Sequence, residues 1–249
     1  MRRFFGARIG TCACLDAEGR PEYRSRMAFH AVLFDLDGTL LDTLADIAVS
    51  MNHALQSLGF PAHEVDSYRR RVGWGARVLA EKSLPEDHHD PDTVARCVQL
   101  FAEYYSLHPN DHTRPFEGIV QMLAALRTAS VPCAVLSNKP HDLTVSVVAQ
   151  SLEGHPFVAV YGDRSGVPPK PHPGTARDAA RQLGHAEDEV LFVGDSDIDM
   201  QTAVAAGMEP VGVTWGFRTR EVLHDAGARV IIDQPAQLLN LLEKTNGHQ

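Results

Sequence analysis

The sequence predicts an α/β fold: a doubly wound, mostly parallel sheet, interrupted early by an inserted α-helical domain. A short apolar run at 31–34 ends in Asp35, Asp37 and Gly38, the pattern of a buried strand of a parallel sheet. From residue 115 onward, apolar strand-like runs alternate with helical stretches. Between these two regions, residues 43–114 carry helical periodicity only, and roughly 70 residues is long for one strand-to-helix connection.

The chain has 249 residues, 44% hydrophobic and 22% charged, enough for one large core or a core with a smaller domain. Its formal net charge is −9. Six arginines lie within residues 1–26, against Asp16, Glu18 and Glu22, so the remainder is more acidic still. An acidic body argues against a nucleic-acid surface. No run of 18 apolar residues is present, so no membrane span is expected. Cys12, Cys14, Cys97 and Cys133 form neither a CxxC pair nor a framework, which points to a reducing cytoplasm. Residues 1–26 lack a sustained period and an apolar stretch behind their basic start. They are expected to be a disordered extension, or the product of an upstream start codon with Met27 as the true start.

The elements follow in order. After the strand at 31–34, Leu44, Ile47, Met51, Leu55 and Leu58 recur at helical spacing, with Asp42 or Thr43 to cap the start and Gly59 to stop it. Further helical stretches cover 64–72 and 76–83. A polar break from Pro85 to Pro91 precedes a fourth, in which Val94, Val98, Phe101 and Tyr105 share a face. These helices, residues 43–114, are expected to sit over the strand ends as a cap. The core comprises 27–42 and 115–249. It continues with a helix at 117–129, a strand at 133–136 and a helix at 141–151. Next come a strand near 157–161, a rigid Pro-rich loop at 168–173, a helix to Leu183 and a strand at 190–193. Small residues from Ala203 to Ala206 form a helix that Gly207 stops. A strand at 210–214, a short helix, a strand at 230–232 and a helix at 235–244 finish the chain.

Three of these strands end in polar residues on one edge of the sheet, where open α/β sheets bind ligands. This gathers Asp35, Asp37, Ser137, Asn138, Asp195 and Asp199, with Lys170 on a loop within reach. In an extended segment, residues i and i+2 point to the same side, so Asp35 and Asp37 face one pocket. Such close like charges call for a cation, and Mg²⁺ suits a site of carboxylates and phosphate. Asp35 is the candidate nucleophile and Asp37 the candidate general acid and base. Asp195 would complete the metal site with Asp35 and Asp37, and Asp199 would lie behind it. Gly38 brings backbone N–H groups to an anion, and Thr39, Ser137, Asn138 and Lys170 are placed with it around the phosphoryl oxygens. Lys139 is expected to face the pocket.

These residues resemble the haloacid dehalogenase superfamily of phosphatases with a helical cap. Its motifs match as Asp35-Leu-Asp37-Gly38-Thr39, Ser137, Lys170, and Gly194-Asp195-Ser196 with Asp199, in order over residues 29–215. The resemblance implies a Rossmann-like core, phosphorylation of Asp35, and Mg²⁺ held by Asp35, the Asp37 carbonyl and Asp195. Ser-Asn-Lys-Pro at 137–140 and Arg71-Val-Gly73-Trp74-Gly75 are most similar to the phosphoglycolate phosphatase group. By that resemblance Arg71, Gly73 and Trp74 would contact substrate. Arg71 as a solvated helix face and Trp74 as simple core remain open. The expected partner is a small phosphorylated metabolite, turned over by a monomer or homodimer. Phosphatases of sugar or amino-sugar phosphates and pyrophosphatases share most of these cues. Thr39 sits where β-phosphoglucomutases usually carry Val, which favours hydrolysis. A phospho-acceptor signalling module would match the acids and the lysine but has no use for a long insert.

Overall fold

Strand β1 (Ala31–Phe34) is buried along its whole length at the middle of the sheet. The computed structural model describes residues 29–242, so the expectations for residues 1–26 and for the end of the last helix lie outside it. Six parallel strands form the sheet: β1, β4 (Cys133–Pro140), β5 (Ala159–Asp163), β6 (Val190–Gly194), β7 (Glu209–Val213) and β8 (Val230–Ile232). Their spatial order is β5-β4-β1-β6-β7-β8. β1 pairs with β4 on one side and β6 on the other. Three polar strand ends therefore fall side by side.

The alternation along β1 separates two cores. Val32 and Phe34 join a cluster with Ile119, Met122 and Leu126 of α4 (Ile119–Thr128) and Val147 of α5 (His141–Ser151). Ala31 and Leu33 point the other way. They meet α6 (Gly174–Leu183) and α7 (Asp197–Ala206), which give this cluster mainly alanines: Ala176, Ala179 and Ala180 from α6, Ala203 and Ala206 from α7.

A third cluster belongs to the segment between β1 and α4. It is built by α1 (Leu44–Ser57), a 3₁₀ turn at Val65–Arg70, α2 (Gly75–Glu81) and α3 (Pro91–Leu107). Leu44, Ile47, Met51 and Leu55 of α1 pack against Val94, Phe101 and Tyr105 of α3. Asp90 caps α3 by accepting from the Thr93 N–H at 3.0 Å, with Pro91 in the first turn. The segment leaves and re-enters the core side by side: β2 (Leu41–Asp42) pairs antiparallel with β3 (Arg114–Pro115).

Several expected boundaries change. The stretch expected as a helix at 64–72 is a single 3₁₀ piece held by buried Tyr68, since this tighter geometry suits short segments. The C-terminal helix expected at 235–244 is likewise a 3₁₀ piece, Pro235–Asn240. β4 does not stop at Leu136. After a register shift it pairs again, Pro140 with Asp163, so Ser137, Asn138 and Lys139 lie inside an irregular strand. α7 starts at Asp197, not Ala203, because Ser196 and Asp199 form a reciprocal cap. Asp199 thereby sits in the first helical turn.

Candidate active site

The turn after β1 sets the geometry. The Asp35 N–H donates to the Val193 carbonyl at 2.9 Å, which fixes the first acid against β6. The N–H groups of Thr39, Leu40 and Leu41 all point at the Leu36 carbonyl, at 3.3, 3.1 and 3.0 Å. This tight turn needs Gly38, whose φ is +94°. Space demands glycine as well: a Cβ there would collide with the Asp195 carboxylate.

Four charged side chains converge below the turn. Lys170 Nζ lies 2.6 Å from Asp35 Oδ1 and 2.7 Å from Asp199 Oδ1. The other Asp199 oxygen accepts from the Ser196 N–H at 3.1 Å and its hydroxyl at 2.5 Å. Asp195 Oδ2 accepts the Phe217 N–H at 2.7 Å. The Thr39 hydroxyl is 3.4 Å from Asp35 Oδ2 and 3.3 Å from Asp195 Oδ1, and its one proton serves either. All four charged groups are buried.

Burial and crowding set the electrostatics. Asp35 is raised well above the ordinary carboxylate range, by burial first and then by Asp199 and Asp195, with Lys170 opposing. Asp195 is pushed up to about 7 by burial and Asp199, against the Phe217 N–H, Arg218 and Lys170. Burial alone would lower Lys170, but Asp199 and Asp35 outweigh it and raise it. One lysine thus faces three carboxylates whose oxygens lie within 4.8 Å of one another. Such a set fits a hard divalent cation. Asp199 has both oxygens engaged by Lys170 and Ser196, which leaves Asp35 and Asp195 with the freer lone pairs.

Asp37 points elsewhere, toward Lys139, whose Nζ is 2.9 Å from Asp37 Oδ1. The contact has the distance of an ion pair but lacks hydrogen-bond alignment. Lys139 Nζ also donates to the Tyr105 hydroxyl at 2.7 Å. Tyr105 is held protonated, pushed up to about 12 by burial, with Lys139 opposing and Asp37 adding. A cavity of about 60 Å³ opens between these groups. Its floor holds Asp35, Asp37, Ser137, Lys139, Lys170 and Asp195; its roof holds Ile47, Val72, Leu79, Phe101 and Tyr105.

Not every expected residue reaches the cavity. Arg71 turns away: its guanidinium donates to the carbonyls of Ser67 at 2.8 Å and Lys82 at 3.0 Å, and lies over the Tyr68 ring. Trp74 precedes α2, half-buried, and is not a wall of the cavity. Gly73 does line it. Thr39 spends its hydroxyl on the carboxylates. Asn138 lines the cavity, but its side chain is committed. Its Oδ1 accepts from the Lys170 N–H at 2.8 Å, and its Nδ2 donates to the Lys170 and Gly73 carbonyls at 3.0 and 3.1 Å. It clamps the lysine loop to the helical insert.

One segment was not anticipated. Residues 215–218 follow β7 and join the turn after β1, Asp195 and the insert. Trp215 Nε1 donates to the Thr39 carbonyl at 2.9 Å. Gly216 packs on Asp195 with no room for a Cβ. The Phe217 ring is buried in the insert's core. Arg218 donates to the Val72 carbonyl at 2.8 Å and to the Arg69 carbonyl, and lines the cavity. The only cue was Trp-Gly beside a strand end, which carries no chemistry by itself.

The chain is similar to known proteins in sequence and in fold. The family described as haloacid dehalogenase-like hydrolase matches residues 32–213. The phosphoglycolate phosphatase of Pectobacterium atrosepticum is 32% identical over 224 residues, 89% of this chain and 95% of that protein. That of Aquifex aeolicus is 30% identical over 213 residues, 85% and 96% of the two chains. The crystal structure of a predicted phosphoglycolate phosphatase from Haemophilus somnus 129pt superposes with a TM-score of 0.78. It is 28% identical, and the match covers 86% of this chain and 97% of that one.

Proposed function

This chain belongs to the haloacid dehalogenase-like hydrolases, and from that premise we propose that it is a Mg²⁺-dependent phosphomonoesterase acting on 2-phosphoglycolate. The observation that carries the chemistry is Asp35, buried and bonded at 2.6 Å to Lys170, with Asp37 facing the same cavity. The relatives' names favour the substrate. The small cavity and its apolar roof support a small leaving group over a nucleotide.

An Asp35 oxygen attacks phosphorus as the ester P–O bond breaks, and Asp37 gives its proton to the leaving alcohol oxygen. Asp37 then takes a proton from a water whose oxygen attacks the same phosphorus. The Asp35–phosphorus bond breaks, and phosphate and free Asp35 result. Lys170 steadies charge on the phosphoryl oxygens. Ser137, buried on the cavity floor, supplies a hydroxyl to them. Asp35, the Asp37 carbonyl and Asp195 would hold Mg²⁺, which when bound neutralises charge on the phosphoryl group. The helices over the cavity act as a cap that opens for exchange. Free, buried Cys97 and Cys133 accord with a reducing cytoplasm. No described helix is long and apolar enough to cross a membrane.

The test is phosphate release from a panel of 2-phosphoglycolate, sugar and amino-sugar phosphates, nucleotides and pyrophosphate, with Mg²⁺. 2-Phosphoglycolate is expected to lead by about 10²-fold in kcat/KM. Asp35→Asn is expected to remove turnover and keep the fold. Normal turnover in that variant sinks the mechanism, and a different leading ester sinks the substrate.

A further inference from the structure

The cavity has a second cation that the phosphoryl chemistry leaves unused. Lys170 is held between two carboxylates, Asp35 and Asp199, and Arg218 is tied through both terminal nitrogens to the carbonyls of Arg69 and Val72. Lys139 differs. Its ammonium is buried, its Asp37 contact is poorly aligned, and its one well-formed bond goes to Tyr105. An ammonium carries three donors. At least one has no acceptor among the described residues. The Tyr105 hydroxyl accepts from Lys139, so its own proton is also without an acceptor among them. Two unspent donors thus stand 2.7 Å apart at one edge of the cavity, one from the core and one from the insert.

Their place is decisive. They adjoin Asp37, the group that protonates the leaving oxygen, so they face whatever is attached to that oxygen. Beside them the roof is Ile47, Val72, Leu79 and Phe101, which cannot solvate an anion or satisfy several hydroxyls, and the other cation on that side, Arg218, is tied to the insert's carbonyls. A leaving group with a carboxylate one carbon from its ester oxygen meets this wall best. It offers two acceptors to two donors and places a negative charge beside an ammonium. A polyhydroxylated leaving group would leave hydroxyls unpaired against the apolar roof.

Resting on the substrate reading above, we infer that Lys139 and Tyr105 form the subsite that recognises the carboxylate of the leaving group, and so determine specificity. Tyr105 lies on α3 of the insert, so this subsite is complete only when the insert is seated on the core.

The experiment compares kcat/KM for 2-phosphoglycolate with that for 2-hydroxyethyl phosphate, which keeps the ester and chain length and lacks the carboxylate. The ratio of the two is the readout. Loss of charge in Lys139→Met is expected to lower this ratio by about 30-fold or more, whatever common loss both esters suffer. Tyr105→Phe keeps the ring and is expected to lower it by about fivefold. Circular dichroism checks folding, and if Lys139→Met fails to fold, Tyr105→Phe decides. A wild-type preference that survives both substitutions overturns the assignment, as does an equal fall for both esters. A wild-type ratio near one overturns the 2-phosphoglycolate reading itself, a different result visible before any variant is made.

Discussion

Asp46 holds Thr113 twice: Oδ2 accepts the Thr113 N–H at 2.8 Å and its hydroxyl at 2.7 Å. The same carboxylate takes the His112 N–H at 3.0 Å. Asp46 lies in the first turn of α1 and Thr113 just before β3, so one buried carboxylate ties the way into the insert to the way out. Asp46→Ala leaves these donors unpaired. It is expected to destabilise the protein by about 3 kcal/mol, read as a lower urea midpoint. An unchanged midpoint would show that the two connections do not depend on this contact.

Gly216 lies against Asp195 and the Gly38 carbonyl, with no space for a methyl group. Gly216→Ala must displace the carboxylate that the proposed metal site uses. The concentration of Mg²⁺ for half-maximal activity is expected to rise about tenfold, with a stability loss of about 1–3 kcal/mol. Chelation of the wild type should abolish phosphate release and added Mg²⁺ restore it. Activity that persists through exhaustive chelation contradicts the metal assignment.

Arg218 fastens the insert's Arg69 and Val72 carbonyls to the core, and Arg69 returns a bond to the Gly216 carbonyl at 3.2 Å. Arg218→Gln weakens this seam without touching Asp35 or Asp37. The expected result is a rise of about tenfold in KM, with kcat changed less. Limited proteolysis in the 64–74 region should accelerate. A fall confined to kcat would mean that Arg218 serves the chemistry directly.

Alkaline pH should destabilise the fold through two buried thiols. Burial pushes the thiols of Cys97 and Cys133 up to about 11 and about 12 from an ordinary 9.0. The folded chain keeps these protons after the unfolded chain has lost them, so the unfolded state gains as pH rises above 9. Stability is full below pH 9 and falls between pH 9 and 12. Urea midpoints at pH 8 and pH 10.5 test this, and equal midpoints refute it.

The acids of the site were legible because their positions follow from local rules. A strand that ends in Asp-Leu-Asp-Gly places two carboxylates on one side, and three adjacent parallel strands bring Ser137, Asp195 and Asp199 to the same edge. Lys170 was legible only through its order among those motifs. What failed depended on direction or distance. Arg71 carries a charge on a short helical turn, and nothing local says that its guanidinium runs back to Ser67 and Lys82. Asn138 stands beside Ser137 in sequence, yet the irregular strand sends its amide to the Lys170 loop. Tyr105 reads as one more apolar position on α3, and its hydroxyl acquires meaning only from Lys139, 34 residues on. The 215–218 segment has no periodicity to signal it, because all its partners lie elsewhere in the chain.

That segment limits how such enzymes can be recombined. Phe217 belongs to the insert's hydrophobic core by its ring and to Asp195 by its N–H, although it lies far downstream of the insert in sequence. A chimera that exchanges residues 43–113 for the corresponding helices of a relative would inherit a foreign socket for Phe217 and new carbonyls for Arg218. Transplanting a different substrate preference onto this scaffold therefore calls for two grafts, the helical block and the 215–218 segment, moved together.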